Sequence, residues 1–226
     1  MSAPSPYRVL IADDEPAVRS AYREFFGAQR GFALVAEAGT GTEAVELYAV
    51  HRPDVVLMDL QMPGMSGIDA IGAICGRFPD ACIVAVTTFG TRAMSLAALR
   101  AGASGYLVKD AGGPALRAAL LQALEGNMPL SSAVRRELVA ELTSEPTPAD
   151  RREHGLTPRE VELLGWLGHG LTNQQIARRM HVSEGTVKQY FARVCAKLQV
   201  TSRTQVLVRS IQIGLIDPRR LPPLGG

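Results

Sequence analysis

The chain of 226 residues is long enough for one large domain or two ordinary domains, each able to bury a core of its own. Hydrophobic residues make up 46% and charged residues 20% of the sequence, and no apolar run approaches the ~20 residues of a membrane helix, so no membrane span is expected. The formal net charge of +2 hides an asymmetry, because residues 1–150 hold 12 Lys and Arg against 17 Asp and Glu, whereas residues 151–226 hold 12 against 5.

Charge and cysteine usage bear on the partner and on the compartment. The basic last part predicts contact with nucleic acid, although a solvated basic face would give the same count. The three cysteines form no CxxC pair, which favours reduced thiols in a cytoplasm. The N-terminus carries no secretion signal, so a cytoplasmic location is expected.

Strand and helix patterns alternate through the first part of the chain. Short apolar runs predict buried strands, and apolar residues at helical spacing predict the helices between them. The predicted strands are 8–12, 32–38, one that ends at Asp59, 83–86 and 104–108. The predicted helices are 17–29, 42–50, 66–77 with Ser66 as its N-cap, 91–101 and 114–125. Five such β-α units predict a parallel sheet with helices on both faces.

The turn after the second strand has two interpretations. Gly39, Gly41 and Ala44 have the spacing of a dinucleotide-binding G-x-G-x-x-A fingerprint. The motif follows the second strand and not the first, and no matching ribose-binding context accompanies it. A tight glycine turn with Thr42 as the helix N-cap explains the same residues without a cofactor.

Polar side chains collect at the carboxyl ends of the predicted strands. They are Asp13, Asp14, Asp59, Thr87 and Lys109. In an open parallel sheet this edge is where ligands bind, so we expect these groups to converge. Clustered carboxylates favour a bound cation, and oxygen ligands without His or Cys favour Mg²⁺. Asp59 on the middle strand is then the candidate nucleophile for a phosphoryl group, although each residue could instead cap a helix or face water.

Residues 7–125 resemble the receiver domain of two-component response regulators. The matching motifs are the acidic pair Asp13-Asp14, Asp59 with the run from Met62 to Gly67, Thr87, and the run from Gly102 to Asp110. The resemblance implies a flavodoxin-like, doubly wound α/β fold with a five-stranded parallel sheet. It also implies that a sensor histidine kinase phosphorylates Asp59, and that Asp13, Asp14, Asp59 and the main-chain carbonyl of Gln61 hold Mg²⁺.

The same resemblance implies roles for three further residues. Lys109 would contact the phosphoryl oxygens, Thr87 would move toward them, and Tyr106 would swing inward in step. The surface formed by the last helices and strand would change as a result. The protein would then be a phosphoacceptor that takes part in its own phosphoryl transfer and hydrolysis, and not an enzyme acting on other substrates.

The composition changes after the predicted receiver. Asn127, Met128 and Pro129 break the last receiver helix, a short helix is predicted over 132–143, and residues 143–153 are polar, charged and interrupted by prolines. The predicted organisation is a receiver domain over 1–127, a linker with a short helix over 128–153, and a second domain over 154–226. A regulatory hinge and a passive tether remain equally compatible with this linker.

The last part of the chain predicts four helices. The first spans 158–168 with Thr157 as its N-cap, and the second begins at Thr172. The third spans 184–198 after the N-cap Ser183, and the fourth spans 202–213 after the N-cap Thr201. Two short helices, a tight turn and a longer basic helix indicate a helix-turn-helix. The alternative is a small helical bundle with a basic solvated face.

Helix 184–198 has a polar outer stripe that predicts DNA contact. Its members are Thr186, Lys188, Gln189, Arg193 and Lys197. Lys188 can donate to guanine and Gln189 to adenine, because base edges meet the N-terminal end of a recognition helix. Phosphate contacts are predicted for Arg178, Arg179, Arg193 and Lys197, and further DNA contacts for Thr172 and Asn173.

Residues 156–216 resemble the LuxR-type DNA-binding domain. The matching runs are 156–160, 170–177, 182–188 and 196–200, with Arg203 and the run 214–216. Tyr190 departs from the family pattern, which usually has His there, so operator preference is open. The resemblance implies binding to double-stranded promoter DNA and pairing of two subunits through residues 206–213.

The two resemblances together predict a transcription regulator of the NarL/LuxR type. Phosphorylation of Asp59 would promote homodimerisation and expose or align helix 184–198. One rival is a DNA-binding protein whose receiver is constitutive or gated by another ligand. A second rival is a hydrolase that passes through an aspartyl phosphate, although such enzymes often have an acid at the position that Gln61 occupies here.

Overall fold

The computed structural model describes residues 5–29, 31–88, 92–109, 112–127, 129 and 155–216. The predicted short helix over 132–143, and all of the predicted linker except residue 129, lie outside the described residues. Among the helices of the described part of the chain, none is long and apolar enough to cross a membrane.

The first domain is built on a five-stranded parallel sheet, as predicted. Its strands are β1 Tyr7–Ala12, β2 Phe32–Ala38, β3 Val55–Asp59, β4 Ile83–Thr87 and β5 Gly105–Val108. Their order across the sheet is β2-β1-β3-β4-β5, and every neighbouring pair is parallel. All five residues of β3 are buried, so Asp59 ends the strand at the centre of the sheet.

Among the described residues, five helices cover the two faces of this sheet. They are α1 Pro16–Ala28, α2 Gly41–His51, α3 Gly67–Arg77, α4 Arg92–Ala101 and α5 Gly112–Leu124. Alternate residues of each strand point to opposite faces, so β1 gives Val9 and Ile11 to the layer with α1 and α5, and Leu10 to the other layer. The sheet is therefore buried on both faces, which explains why its strands are continuous apolar runs.

The loop between β3 and α3 is fixed by a close backbone approach. Ser66 is the N-cap of α3 and accepts a hydrogen bond from the Asp69 N–H at 3.2 Å. A Cβ on Gly67 would lie 1.8 Å from the carbonyl oxygen of Asp59, so only glycine fits there. The turn after β2 has a similar reason for its glycine, since a Cβ on Gly41 would lie 2.4 Å from the carbonyl oxygen of Met65.

The second domain consists, in its described residues, of four helices. They are α6 Pro158–Gly168, α7 Asn173–Met180, α8 Glu184–Leu198 and α9 Arg203–Gln212. Their apolar sides form one core that includes Leu163, Leu164, Ile176, Val187 and Val194, all fully buried. The predicted helix-turn-helix architecture is thus confirmed.

Four of the predicted N-caps are in place and two are wrong by one or two residues. Thr157, Thr172 and Ser183 cap their helices as predicted, like Ser66 before them. The N-cap of α2 is Thr40 and not Thr42, and the N-cap of α9 is Ser202 and not Thr201. Thr40 and Ser202 each have an extended backbone, and the side-chain oxygen of each accepts a hydrogen bond from the N–H of the third helical residue.

The two domains are in contact through α9 and α4. The two helices pack against each other, and Gln205 Nε2 donates a hydrogen bond to the Arg100 carbonyl at 3.3 Å. The predicted dimerisation segment, residues 206–213, covers most of α9 and its C-cap Ile213, and it contains buried Val206, Leu207 and Val208. In this arrangement α9 packs against a helix of its own chain.

Candidate functional site

The polar residues predicted at the strand ends lie together at one edge of the sheet. Asp13 follows β1, while Asp59 ends β3. Carboxylate oxygens of Asp13, Asp14 and Asp59 lie within 4.8 Å of one another. Asp13 and Asp59 are buried and Asp14 is exposed, so one member of the trio faces solvent.

Lys109 lies immediately after β5 and binds two of these acids. Its Nζ is 2.7 Å from Asp13 Oδ2 and 2.9 Å from Asp59 Oδ2, and 3.7 Å from Glu15 Oε1. Desolvation alone would lower the pKa of Lys109, but the hydrogen bonds to Asp13 and Asp59 outweigh it and raise the pKa above its ordinary value. The ammonium therefore stays charged and compensates the two buried carboxylates.

Asp13 is held in position from several sides. Its N–H donates to the Ala38 carbonyl at 3.0 Å, and its own carbonyl accepts a hydrogen bond from Arg19 Nη1 at 2.6 Å. Oδ1 accepts from the Glu15 N–H at 3.0 Å. Burial nevertheless raises the pKa of the Asp13 carboxyl, and the hydrogen bonds from Lys109 and Glu15 offset only part of that rise.

Thr87 brings a hydroxyl to the same edge. It ends β4 and is fully buried, and its Oγ1 has no hydrogen-bond partner among the residues that the structure describes. Leaving a buried hydroxyl unpaired costs about 1–3 kcal/mol. An unpaired buried hydroxyl at this edge is therefore a candidate to bind a ligand. Tyr106, one strand further, is 2% exposed, so its ring is already inside the protein.

The donor set suits a hard divalent cation. Three carboxylates in mutual reach provide oxygen ligands without nitrogen or sulfur, the chemistry that Mg²⁺ prefers. The N–H of Gln61 donates to Asp59 Oδ1 at 3.2 Å, which fixes the loop whose carbonyl was predicted as a further ligand. That the Gln61 carbonyl binds the metal stays a prediction.

The predicted DNA-reading helix is α8, and most of its outer stripe is exposed. Lys188, Gln189 and Arg193 are exposed, while the hydroxyl of Thr186 bonds to Ser183 Oγ at 2.9 Å. On α7, Arg178 and Arg179 are also exposed. The charged residues among those predicted to contact DNA therefore form a positive surface on two neighbouring helices.

Three residues predicted to contact DNA are engaged inside the protein. Lys197 Nζ donates to Glu160 Oε2 at 2.6 Å and to the Gly155 carbonyl at 2.8 Å, so it joins the ends of α6 and α8. Thr172 uses its hydroxyl to cap α7. Asn173 is 7% exposed and bonds to the receiver and to Arg203. Their DNA contacts stay predictions, and for Asn173 they require a rearrangement.

A cleft of about 500 Å³ lies between the middle of α8 and the receiver. Lys188, Phe191 and Cys195 of α8 line one side, and Asp80 and Leu124 of the receiver line the other. Of the residues predicted to read bases, Lys188 therefore lines the space next to the receiver, whereas Gln189 is exposed outside that lining.

Three residues with structural roles here were missed from sequence. Arg19 holds the Asp13 loop, Asn127 bonds to α7, and Arg203 joins α9 to α7 through Asn173 Oδ1 at 2.6 Å. Asn127 was noted only as a helix breaker, because a short polar residue after a glycine is typical of any helix end. No local pattern indicates a partner 46 residues away in sequence.

Comparison with known proteins gives two family matches and several full-length relatives. Residues 9–121 match the response regulator receiver domain, and residues 154–210 match the bacterial regulatory proteins of the luxR family. The nitrate/nitrite response regulator protein NarL of Escherichia coli K12 is 34% identical over 208 residues, which are 92% of this chain and 96% of NarL. The DNA-binding transcriptional activator DevR/DosR of Mycobacterium tuberculosis is 36% identical over 219 residues, 97% of this chain and 99% of that protein.

A solved structure of similar extent agrees with these matches. The crystal structure of the response regulator ChrA, from a heme-sensing two-component system, is 35% identical, with a TM-score of 0.52. It covers 94% of this chain and 100% of its own. Both the sheet domain and the helical domain therefore have relatives on a single chain.

Proposed function

Since the chain belongs to the two-component transcriptional response regulators that join a receiver to a LuxR-type DNA-binding domain, we propose that Asp59 is its phosphoacceptor. The donor is a phosphohistidine of a sensor histidine kinase. A carboxylate oxygen of Asp59 attacks phosphorus, the bond between phosphorus and the imidazole nitrogen breaks, and the released imidazole takes a proton from solvent. The product is an acyl phosphate on Asp59.

The observation that carries this proposal is the convergence at the sheet edge. Asp59 ends the central strand, Lys109 Nζ lies 2.9 Å from its Oδ2, and the Thr87 hydroxyl is buried nearby on the next strand without a partner among the described residues. Lys109 and Thr87 can then bind phosphoryl oxygens, one through charge and the other through a hydrogen bond.

We further propose that Asp13, Asp14, Asp59 and the carbonyl of Gln61 hold Mg²⁺. Bound Mg²⁺ would neutralise the charge of the incoming phosphoryl oxygens. The support is the oxygen-only donor set within 4.8 Å. Arg19, through the Asp13 carbonyl, and Glu15, through Asp13 Oδ1, keep one of these acids oriented before the ion arrives.

The proposed output is promoter binding by a homodimer. Lys188 lines a cleft beside the receiver, and α9 packs against α4. Full insertion of α8 into a major groove and pairing through residues 206–213 would therefore require the two domains to separate. Phosphorylation would shift the population toward a state in which α8 and α9 are released. The domain limits proposed for this division are 1–127, 128–153 and 154–226, and a cytoplasmic location fits this function.

The test is intact mass spectrometry after incubation with acetyl phosphate and Mg²⁺. The wild type gains one phosphoryl mass, and the Asp59→Asn variant does not. Chelation of the metal with EDTA abolishes the gain, because the cation that would neutralise the charge of the phosphoryl oxygens is then absent. Asp69→Asn, a change to an exposed acid of α3, is the matched control and keeps the gain. Equal phosphoryl mass on wild type and Asp59→Asn would refute the assignment.

A further inference from the structure

The turn that ends α5 reaches across to the DNA-binding domain. Its backbone is closed by hydrogen bonds from the amides of Gly126 and Asn127 to the carbonyls of Ala123 and Gln122, at 2.9 and 2.8 Å. The Asn127 side chain leaves this turn and is 9% exposed. Its Oδ1 accepts a hydrogen bond from the backbone N–H of Asn173 at 3.1 Å.

This contact occupies the backbone N–H of Asn173, a residue predicted to contact DNA. Asn173 is the first residue of α7, the first helix of the helix-turn-helix, and the first amides of a helix have no partner within it. Such N-terminal amides are common donors to DNA phosphates. In this structure the oxygen that accepts from Asn173 belongs to the receiver.

The side chain of Asn173 is also bound, which makes the contact a network. Asn173 Nδ2 donates to the Glu125 carbonyl at 3.4 Å, and Asn173 Oδ1 accepts from Arg203 Nη1 at 2.6 Å. Arg203 Nη2 donates in turn to the Leu171 carbonyl at 2.5 Å. One receiver turn therefore fixes the start of α7 and, through Arg203, the start of α9.

The same turn is connected to the strand that carries Tyr106. The carbonyl of Pro129 accepts a hydrogen bond from the Tyr106 N–H at 3.0 Å, on the free edge of β5. A Cβ on Gly105 would lie 2.4 Å from Cγ of Pro129, so the glycine leaves room for the proline ring. Asn127 is thus two residues from a backbone bond to the proposed switch strand.

We propose that Asn127 is a latch between the domains, in which its amide oxygen occupies the Asn173 N–H and so competes with a DNA phosphate. This inference rests on the proposed function, because release follows from phosphorylation of Asp59. A shift of β5 at Tyr106 would move Pro129 and withdraw Asn127 from α7. The latch sets the fraction of unphosphorylated molecules that can bind DNA.

Two substitutions at this position have opposite expected effects. Asn127→Ala removes the acceptor and frees the Asn173 amide. Asn127→Asp is made together with Glu125→Gln, because Asn127 Nδ2 donates to Glu125 Oε2 at 3.3 Å and two carboxylates there would repel each other. In that background, with Glu125→Gln alone as its reference, the new carboxylate lies at a helix N-terminus and strengthens the contact. Gln122→Ala, at an exposed position in the last turn of α5, is the matched control. A residue that only supported the turn would respond to both changes in the same direction.

The test measures the affinity of the full-length, unphosphorylated protein for a mixed-sequence DNA duplex by fluorescence anisotropy. Phosphate contacts are largely independent of sequence, so this probe suffices. Asn127→Ala tightens binding roughly two- to tenfold and Asn127→Asp weakens it by a similar factor, the range that one hydrogen bond provides. Hydrogen exchange of the Asn173 amide becomes faster in the first variant and slower in the second.

Phosphorylation with acetyl phosphate and Mg²⁺ separates the latch from simple charge repulsion. Once the latch is released, the wild type, Asn127→Ala and Asn127→Asp bind DNA with similar affinity, whereas repulsion by the new carboxylate would persist. Shifts of both variants in one direction, or unchanged Asn173 exchange, would overturn the latch. The phosphoryl mass on Asp59 is recorded in parallel. If the protein accepts no phosphate but the two variants still change DNA affinity in opposite directions, only the proposed function is refuted.

Discussion

At the scale of single residues, the site depends on positions that carry no reactive group. Gly67 allows the first turn of α3 to lie against the Asp59 carbonyl, where a Cβ would be 1.8 Å from the oxygen. The backbone of Asp59, which carries the carboxylate, is thereby held against the start of α3. Backbone contacts of this kind position a nucleophile more rigidly than a side chain could, because the backbone has fewer soft dihedrals.

Gly67→Ala is expected to destabilise the protein by about 3 kcal/mol or more, because the backbone on both sides has to move. The phosphoryl gain on Asp59 should fall with it. Gly72→Ala is the matched control, since Gly72 lies in the same helix and nothing lies within 4 Å of an added Cβ. That change should stabilise the helix by about 0.5–1 kcal/mol. Thermal denaturation followed by circular dichroism distinguishes the two, and similar melting temperatures would contradict the close contact.

The residues of the site could be located from sequence because strand ends can be read directly. An acid or a lysine directly after an apolar run marks the carboxyl end of a strand, and parallel topology brings these ends to one edge. The contacts made by side chains could not be read in this way. That Lys109 bridges Asp13 and Asp59, or that Arg19 binds the Asp13 carbonyl, depends on rotamers set by the whole pocket.

At the scale of elements, the DNA-binding domain is held by an ion pair between α6 and α8. Glu160 Oε2 accepts from Lys197 Nζ at 2.6 Å and from the Thr157 N–H at 2.7 Å, so one carboxylate serves a capping box and a salt bridge. Burial alone would raise the pKa of Glu160, but the hydrogen bonds from Lys197 and Thr157 outweigh it and lower the pKa below its ordinary value. The carboxylate is therefore more stable in the folded domain than in the unfolded chain.

Glu160→Gln is expected to cost about 1–3 kcal/mol at neutral pH, because Lys197 loses its charged partner. The sign of the pH dependence follows from the lowered pKa. The stabilisation is complete above the unfolded pKa of about 4.3 and is lost as pH falls through the lower folded value. The difference in melting temperature between wild type and variant should therefore shrink on acidification. Trp166, the single tryptophan, reports unfolding of this domain by fluorescence. A difference that is constant from neutral to acid pH would contradict the pair.

Helix limits were predictable where a capping residue and an apolar face agree. Thr157, Thr172 and Ser183 were correct because a single hydroxyl precedes each helix. Neighbouring hydroxyls caused the two errors: Thr40 and Ser202 compete with Thr42 and Thr201 for the same role. The choice between adjacent candidates depends on the backbone conformation of the loop, which local sequence does not determine.

At the scale of the whole molecule, the two domains are in contact at places that the proposed DNA binding and pairing would use. Lys188 lines the cleft toward the receiver, Asn173 is bound by the turn after α5, and α9 packs against α4. Each domain was identified from its own motifs. The arrangement of the two domains could not be predicted from sequence. It depends on single contacts such as that between Gln205 and Arg100, which are 105 residues apart and follow no periodic pattern.

The central claim is that phosphate on Asp59 controls DNA binding by α8, and the most direct measurement is the DNA affinity of the full-length protein with and without acetyl phosphate and Mg²⁺. The duplex is one recovered by genome-wide mapping of its binding sites. We expect the wild type to bind about 5- to 150-fold more tightly when phosphorylated, the usual range of coupling between two sites, and Asp59→Asn to remain unchanged. Lys188→Ala should accept phosphate and still fail to bind. Equal affinity of wild type and Asp59→Asn under both conditions would contradict the account.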